Sequence, residues 1–205
     1  MFGRKSNSYG VYLPPIHKNI DQFTPREAKE YFEWFMDIKG ERIEYLKQFS
    51  RLKLNYSIES LVPLWSWFLR NAEIEVTPKE QIDNFRKKLE ESKFPLADVV
   101  LQNQTKRFTL ETECIIRDIG MYWGDIFVKN HPDVNWSYFT KPKRHLFVNR
   151  PLLTGFPNEV DPEKKGMPFE PIHMTHVRAC RLFDGESSKK DLLEIHYIWE
   201  NMFSG

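Results

Sequence analysis

Residues 116–132 read IRDIGMYWGDIFVKNHP, and how this stretch is read decides the fold. Ile115, Ile119, Tyr122 and Ile126 form an apolar stripe at helical spacing, and Ile116, Trp123 and Phe127 widen it. A helix apolar over so much of its circumference belongs at the centre of a fold. Gly120 and Gly124 stand inside it, although an interior glycine costs about 1 kcal/mol against alanine. At i and i+4 they share one face. Two missing side chains on one face let a second backbone or a flat ring come close, which is the reading preferred. A ligand meeting exposed backbone, or a helix that frays at Gly124, are the alternatives.

Working toward the N-terminus, Thr77-Pro78-Lys79-Glu80 reads as a capping box opening a polar surface helix through about Glu91, with Ile82, Phe85 and Leu89 as its stripe. Ser57 begins SIESLVPLWSWFLRN, a helix with a broad face of Leu61, Leu64, Trp65, Phe68 and Leu69. Thr24-Pro25-Arg26-Glu27 is a second capping box with proline in the first turn. The helix after it carries Ala28, Tyr31, Phe32, Phe35, Met36 and Ile38; Gly40 is expected to bend or break it, and Ile43, Leu46 and Phe49 continue the pattern. Residues 1–22 read as an arm whose second half lies against a single globular domain of residues 23–205.

Beyond Pro132 the period changes. Trp136, Tyr138 and Phe139, a polar turn, then Leu146, Phe147 and Val148 predict a β-hairpin with a four- or five-residue connection, followed by a third strand around Leu152–Gly155. Residues 157–171 form a proline-rich loop. Residues 172–185 and 187–203 read as two terminal helices, the second facing inward with Leu192, Ile195, His196, Trp199 and Phe203. The expected class is α+β, predominantly α: six or seven helices with one small antiparallel sheet around 136–155.

Composition bounds the function. The 205 residues hold 30 basic and 29 acidic side chains, net +1, so bulk charge gives no reason to expect nucleic-acid binding. Aromatic residues make up 15% of the chain, which predicts a ring-rich core. Two cysteines do not make a disulfide framework and fit a reducing compartment. With no signal-peptide pattern and no run long enough to span a bilayer, a cytoplasmic, membrane-free protein is expected. No phosphate loop, dinucleotide fingerprint, nucleophile elbow or zincin helix is found, so neither a catalytic residue nor a cofactor is assigned.

Three constellations remain. His173, His176 and Cys180 fall at i, i+3 and i+7 of one helix, a spacing that can offer two imidazoles and a thiolate to zinc, with Asp184, Glu194 or His196 as a fourth ligand. Packing at the edge of the core is the competing reading. Glu111, Glu113, Asp118 and Asp125 line the central helix, where helix-dipole and structural roles outweigh acid–base chemistry. Lys141, Lys143, Arg144 and Arg150 surround an aromatic turn and could grip an acidic protein surface or, less favoured, a nucleic-acid backbone. A solvated hairpin turn is the plainer alternative.

The order of "DIGMYWGDIF", a following Trp, a hairpin, "NRPLLTGF" and two terminal helices closing in "LLEIHYIWENM" resembles small bacterial proteins of the immunity type, found beside secreted toxins. It covers about residues 109–203. The resemblance implies a cytosolic, non-catalytic protein that binds one protein partner, and carries no site residues with it. The leading expectation is therefore a soluble binding protein that neutralises a toxin. A metal-dependent enzyme built on His173, His176 and Cys180 and an RNA-binding accessory protein are the alternatives. The contact surface is expected on the basic turn and the 157–171 loop.

Overall fold

A computed structural model describes residues 8–91, 105–158 and 166–203. Six α-helices and two two-stranded antiparallel sheets lie among them, so the protein is α+β and predominantly α. The helices are α1 (Pro25–Ser50), α2 (Leu61–Asn71), α3 (Lys79–Glu91), α4 (Leu110–Asn130), α5 (Pro171–Cys180) and α6 (Asp191–Glu200). The strands are β1 (Ile74–Val76), β2 (Lys106–Phe108), β3 (Asn135–Ser137) and β4 (Leu152–Thr154). No helix among the described residues is long and apolar enough to cross a membrane.

The quoted stretch is the axis of the fold. Fourteen residues of α4 are buried, including Ile115, Ile116, Ile119, Tyr122, Trp123, Ile126 and Phe127. Thr109 caps its start by accepting a hydrogen bond from Thr112 N. The two glycines admit the two kinds of neighbour that their spacing allows. A Cβ on Gly120 would lie 2.6 Å from Cα of Ile172, so α5 presses its backbone into that gap. A Cβ on Gly124 would lie 2.2 Å from the Trp136 ring and 3.1 Å from Pro171 Cγ. Neither vacancy faces a ligand or a frayed end.

Gly40 meets nothing within 4 Å, and here the expectation is corrected: α1 runs unbroken through it. Phe35, Ile43 and Leu46 are buried on both sides of the glycine, so packing holds the helix and outweighs a local propensity penalty of about 1 kcal/mol. The contrast is testable. Gly124→Ala is expected to lower unfolding free energy by about 1–3 kcal/mol, the usual range for overpacking. Gly40→Ala is expected to leave stability unchanged or raise it by up to about 1 kcal/mol. Equal effects in chemical denaturation would refute this account of the central helix.

The α1 capping box forms as read, with Thr24 N donating to Glu27 Oε2 at 2.7 Å and Glu27 N to Thr24 Oγ1 at 3.3 Å. The second box does not form: the Thr77 hydroxyl is buried without a hydrogen-bond partner. Instead Gln81 N and Ile82 N bond to Pro78 O. As expected of a surface helix, α3 buries none of its residues.

The late sheet also differs in register from the expected hairpin. Trp136 pairs with Leu153, and Ser137 with Leu152, so the anticipated third strand is the partner of the first. Leu146, Phe147 and Val148 lie in the intervening turns. Leu153 further exchanges backbone hydrogen bonds with Phe169. The second sheet was not expected: Ile74 pairs with Phe108, and Val76 with Lys106. These strands are separated by α3 and the residues after it, and a pairing over that distance leaves no local pattern.

The arm packs on the domain through Asp118. This buried carboxylate accepts from Tyr9 Oη at 2.5 Å, Tyr12 Oη at 2.6 Å and Arg42 Nη2 at 2.7 Å. Asp125, one helical face along, accepts from Lys39 Nζ at 2.5 Å and Trp136 Nε1 at 2.8 Å. Both acids are therefore cross-links between α4 and its neighbours.

Candidate functional site

The structure puts the singled-out residues in two separate places. The first is the basic turn. Lys141, Lys143 and Arg144 are exposed and Arg150 is half-buried, and two of the four are tied to the arm. Lys143 Nζ donates to Phe23 O at 3.0 Å, and Arg150 approaches Asp21 at 3.6 Å. Asn149, held at φ 63°, donates its side-chain amide to Ile20 O at 2.8 Å, and its backbone N–H to Phe139 O at 2.8 Å. His145 meets the Phe139 ring edge-on at 4.7 Å. The turn is thus pinned at several points to the arm and to itself. It presents Leu146, 65% exposed, in the same turn as Lys141 and Arg144. Of the 157–171 loop, residues 159–165 lie outside the described residues; Met167 is exposed.

The second place is a groove of about 580 Å³ between β2, the first turns of α4 and the end of α5. Phe108 and Phe183 wall it, with ring centroids 4.7 Å apart. Three side chains form a chain along it. Cys180 Sγ lies 3.6 Å from His176 Nδ1, and His176 Nε2 lies 3.2 Å from Glu113 Oε1. The protonated ring fits both contacts, with Nε2–H donating to Glu113 and Nδ1–H directed at the Cys180 sulfur. Phe108 stands edge-on to the imidazole at 6.0 Å. The contacts with Cys180 and then with Glu113 push the His176 pKa up to about 10, against partial burial.

Cations surround this chain. Lys106 Nζ donates to the neutral Phe183 carbonyl, Arg107 pairs with Glu75 at 2.7 Å, and Arg181 pairs with Asp191 at 3.2 Å. Asp184 also lines the groove.

His173 stands apart from this groove. Its ring packs against Phe147 at 5.8 Å, and burial lowers its pKa. Of the possible fourth ligands, Glu194 is exposed and His196 is buried beneath Trp123, whose Nε1 donates to His196 Nδ1 at 3.2 Å. His196 Nε2 is 3.4 Å from Glu200 but has no well-formed hydrogen bond, and burial drives its pKa down to about 4. Among the described residues no group of three His, Cys, Asp or Glu side chains is placed to hold a metal ion. Neighbours at helical spacing were legible for His176 and Cys180; the partnership with Glu113, and the wall formed by β2, were not.

Comparison with protein-family models, with curated proteins and with solved structures returns no match.

Proposed function

We propose that this is a non-catalytic binding protein of the immunity type, which occupies an acidic surface of a toxin through the turn at residues 139–150. The observation that carries the reading is the pinned turn. Lys143, Asn149 and Arg150 are used for anchoring, which leaves Lys141 and Arg144 free to face outward with an exposed Leu146. A turn whose backbone is already held in one conformation spares the cost of ordering a loop on docking, so only the outward side chains must be immobilised, at about 0.5–1.5 kcal/mol each. An apolar residue beside two cations suits an acidic protein surface with a small hydrophobic pocket. A flat phosphate backbone would use the cations and leave Leu146 in water. The resemblance of residues 109–203 to immunity-type proteins supports the choice of partner.

The test is co-expression with each secreted-toxin candidate encoded by the genes that neighbour this one in its host. A stoichiometric complex and rescue of growth are expected. Lys141→Glu/Arg144→Glu is expected to weaken the complex at least about tenfold, mainly through a slower association rate, with thermal stability unchanged. Absence of both complex and rescue defeats the reading. An undiminished complex with the double variant removes the turn as the contact surface.

A further inference from the structure

The groove lies outside the turn assigned to partner binding, and its side-chain chain has no structural task that a simpler residue set could not perform. We propose that Cys180 is a nucleophilic thiol that exchanges with anionic low-molecular-weight disulfides docked in the groove between β2 and α5. Three independent features support this. The sulfur, the imidazolium and the carboxylate stand in line at 3.6 Å and 3.2 Å, so that a positive charge held by Glu113 faces the nucleophile. They line a half-open groove of about 580 Å³, which accommodates a small molecule. The groove wall carries Lys106, Arg107 and Arg181 against Glu113 and Asp184, with aromatic faces from Phe108 and Phe183.

The second cysteine provides the contrast. Cys114 is buried, its thiol directed at Tyr12 O at 3.6 Å, and desolvation raises its pKa. Among the described residues its only hydrogen-bond partner is that carbonyl, and it is 1% exposed. If thiol chemistry occurs on this chain, it occurs at Cys180.

The exchange balances without any further reagent. The Sγ proton is given up to solvent, and the His176 imidazolium, held by Glu113 through Nε2–H, faces the resulting thiolate through Nδ1–H. The sulfur electron pair attacks one sulfur of the disulfide, an S–S bond forms to Cys180, and the original S–S bond breaks. The leaving thiolate takes a proton from solvent and departs as a thiol. One disulfide is consumed and one mixed disulfide is made, with no net oxidation. Lys106, whose ammonium meets only a carbonyl in the groove, is placed to hold a carboxylate of the incoming molecule.

The probe is glutathione disulfide, which is anionic, compared with cystamine, which is cationic, at neutral pH on the full chain. Peptide mass mapping is expected to locate one adduct, on Cys180. Its rate with glutathione disulfide is expected to exceed, by roughly tenfold or more, that of the same thiol in the urea-unfolded chain. His176→Gln is expected to lower this rate roughly tenfold, and Glu113→Gln by a smaller factor. Lys106→Gln is expected to lower the rate with glutathione disulfide and so to reduce its preference over cystamine. Circular dichroism confirms folding of each variant, and the comparison of folded with unfolded wild type stands even if a variant does not fold. A folded-state rate no greater than the unfolded one, a rate indifferent to His176→Gln in a folded variant, or an adduct on Cys114 overturns the proposal.

Discussion

Asp118→Ala is expected to lower the unfolding free energy by about 3–5 kcal/mol, the cost of breaking a buried charged pair from one side. Asp118 is fully buried and is the common acceptor for Tyr9, Tyr12 and Arg42. The Arg42 guanidinium is enclosed by three aromatic rings, at 4.1 Å from Tyr12, 4.6 Å from Tyr45 and 5.4 Å from Tyr9. It also donates to Gly10 O at 3.1 Å. Alanine would leave this cation without its counter-charge and two phenols without their acceptor. Burial and the carboxylate raise both tyrosines, and desolvation of Arg42 is outweighed by its bond to Asp118; Asp118 itself is raised, because its desolvation exceeds what Arg42, Tyr12 and Tyr9 return. Because Tyr9 and Tyr12 belong to the arm, the variant should also release residues 8–13 from the domain, read as faster amide exchange at Tyr9 and Tyr12. The double change Asp118→Leu/Arg42→Met removes both charges and is expected to recover much of the loss. A single-variant effect below about 1 kcal/mol would mean that the arm is held by its apolar contacts alone.

These side chains also mark where the sequence could be read and where it could not. Periodicity and capping are local, so α4, its neighbours and the Thr24–Glu27 cap were visible in the order of residues. The glycine pair could be read as a close approach for the same reason, although which neighbour fills each gap depends on Ile172 and Trp136. Partners across the fold are not local. Asp118 has Arg117 beside it in sequence but pairs with Arg42 on α1. Leu146-Phe147-Val148 is a short β-prone apolar run, yet Asn149 turns to φ 63° and anchors to the arm, so the strand begins only at Leu152. The groove illustrates the same limit. His176 and Cys180 are four residues apart, whereas Glu113 and Phe108 arrive from another helix and from a strand whose pairing no short pattern announces.

Glu170→Gln is expected to change the pH dependence of stability between about pH 4.5 and pH 8. Glu170 caps α5, accepting from His173 N, and is almost completely buried. Desolvation raises its pKa from 4.5 to about 8, against the lowering effect of the His173 N–H, Arg150 and His176. A folded-state pKa above the unfolded one favours the protonated native form. Its contribution is fully present below about pH 4.5 and is lost as pH rises through about pH 8. The displacement corresponds to an effect on the order of 4 kcal/mol across that window. Glutamine is uncharged throughout and can still accept the His173 N–H, so it should keep the cap while removing the slope. Two histidines act in the same range: His196, lowered to about 4, makes stability rise with pH on the acid side, while His176, raised to about 10, makes it fall on the alkaline side. Subtracting the wild-type curve from the variant curve cancels both, provided that His176 feels little change in charge at Glu170. The variant should therefore gain on the wild type steadily from about pH 4.5 to pH 8 and hold that advantage above it. Urea unfolding at pH 5, 7 and 9, at about one-unit precision in pH, suffices to detect it. A difference curve that stays level across this window would mean that water or Arg150 compensates the buried carboxylate, and that Glu170 is ionised in the native protein at neutral pH.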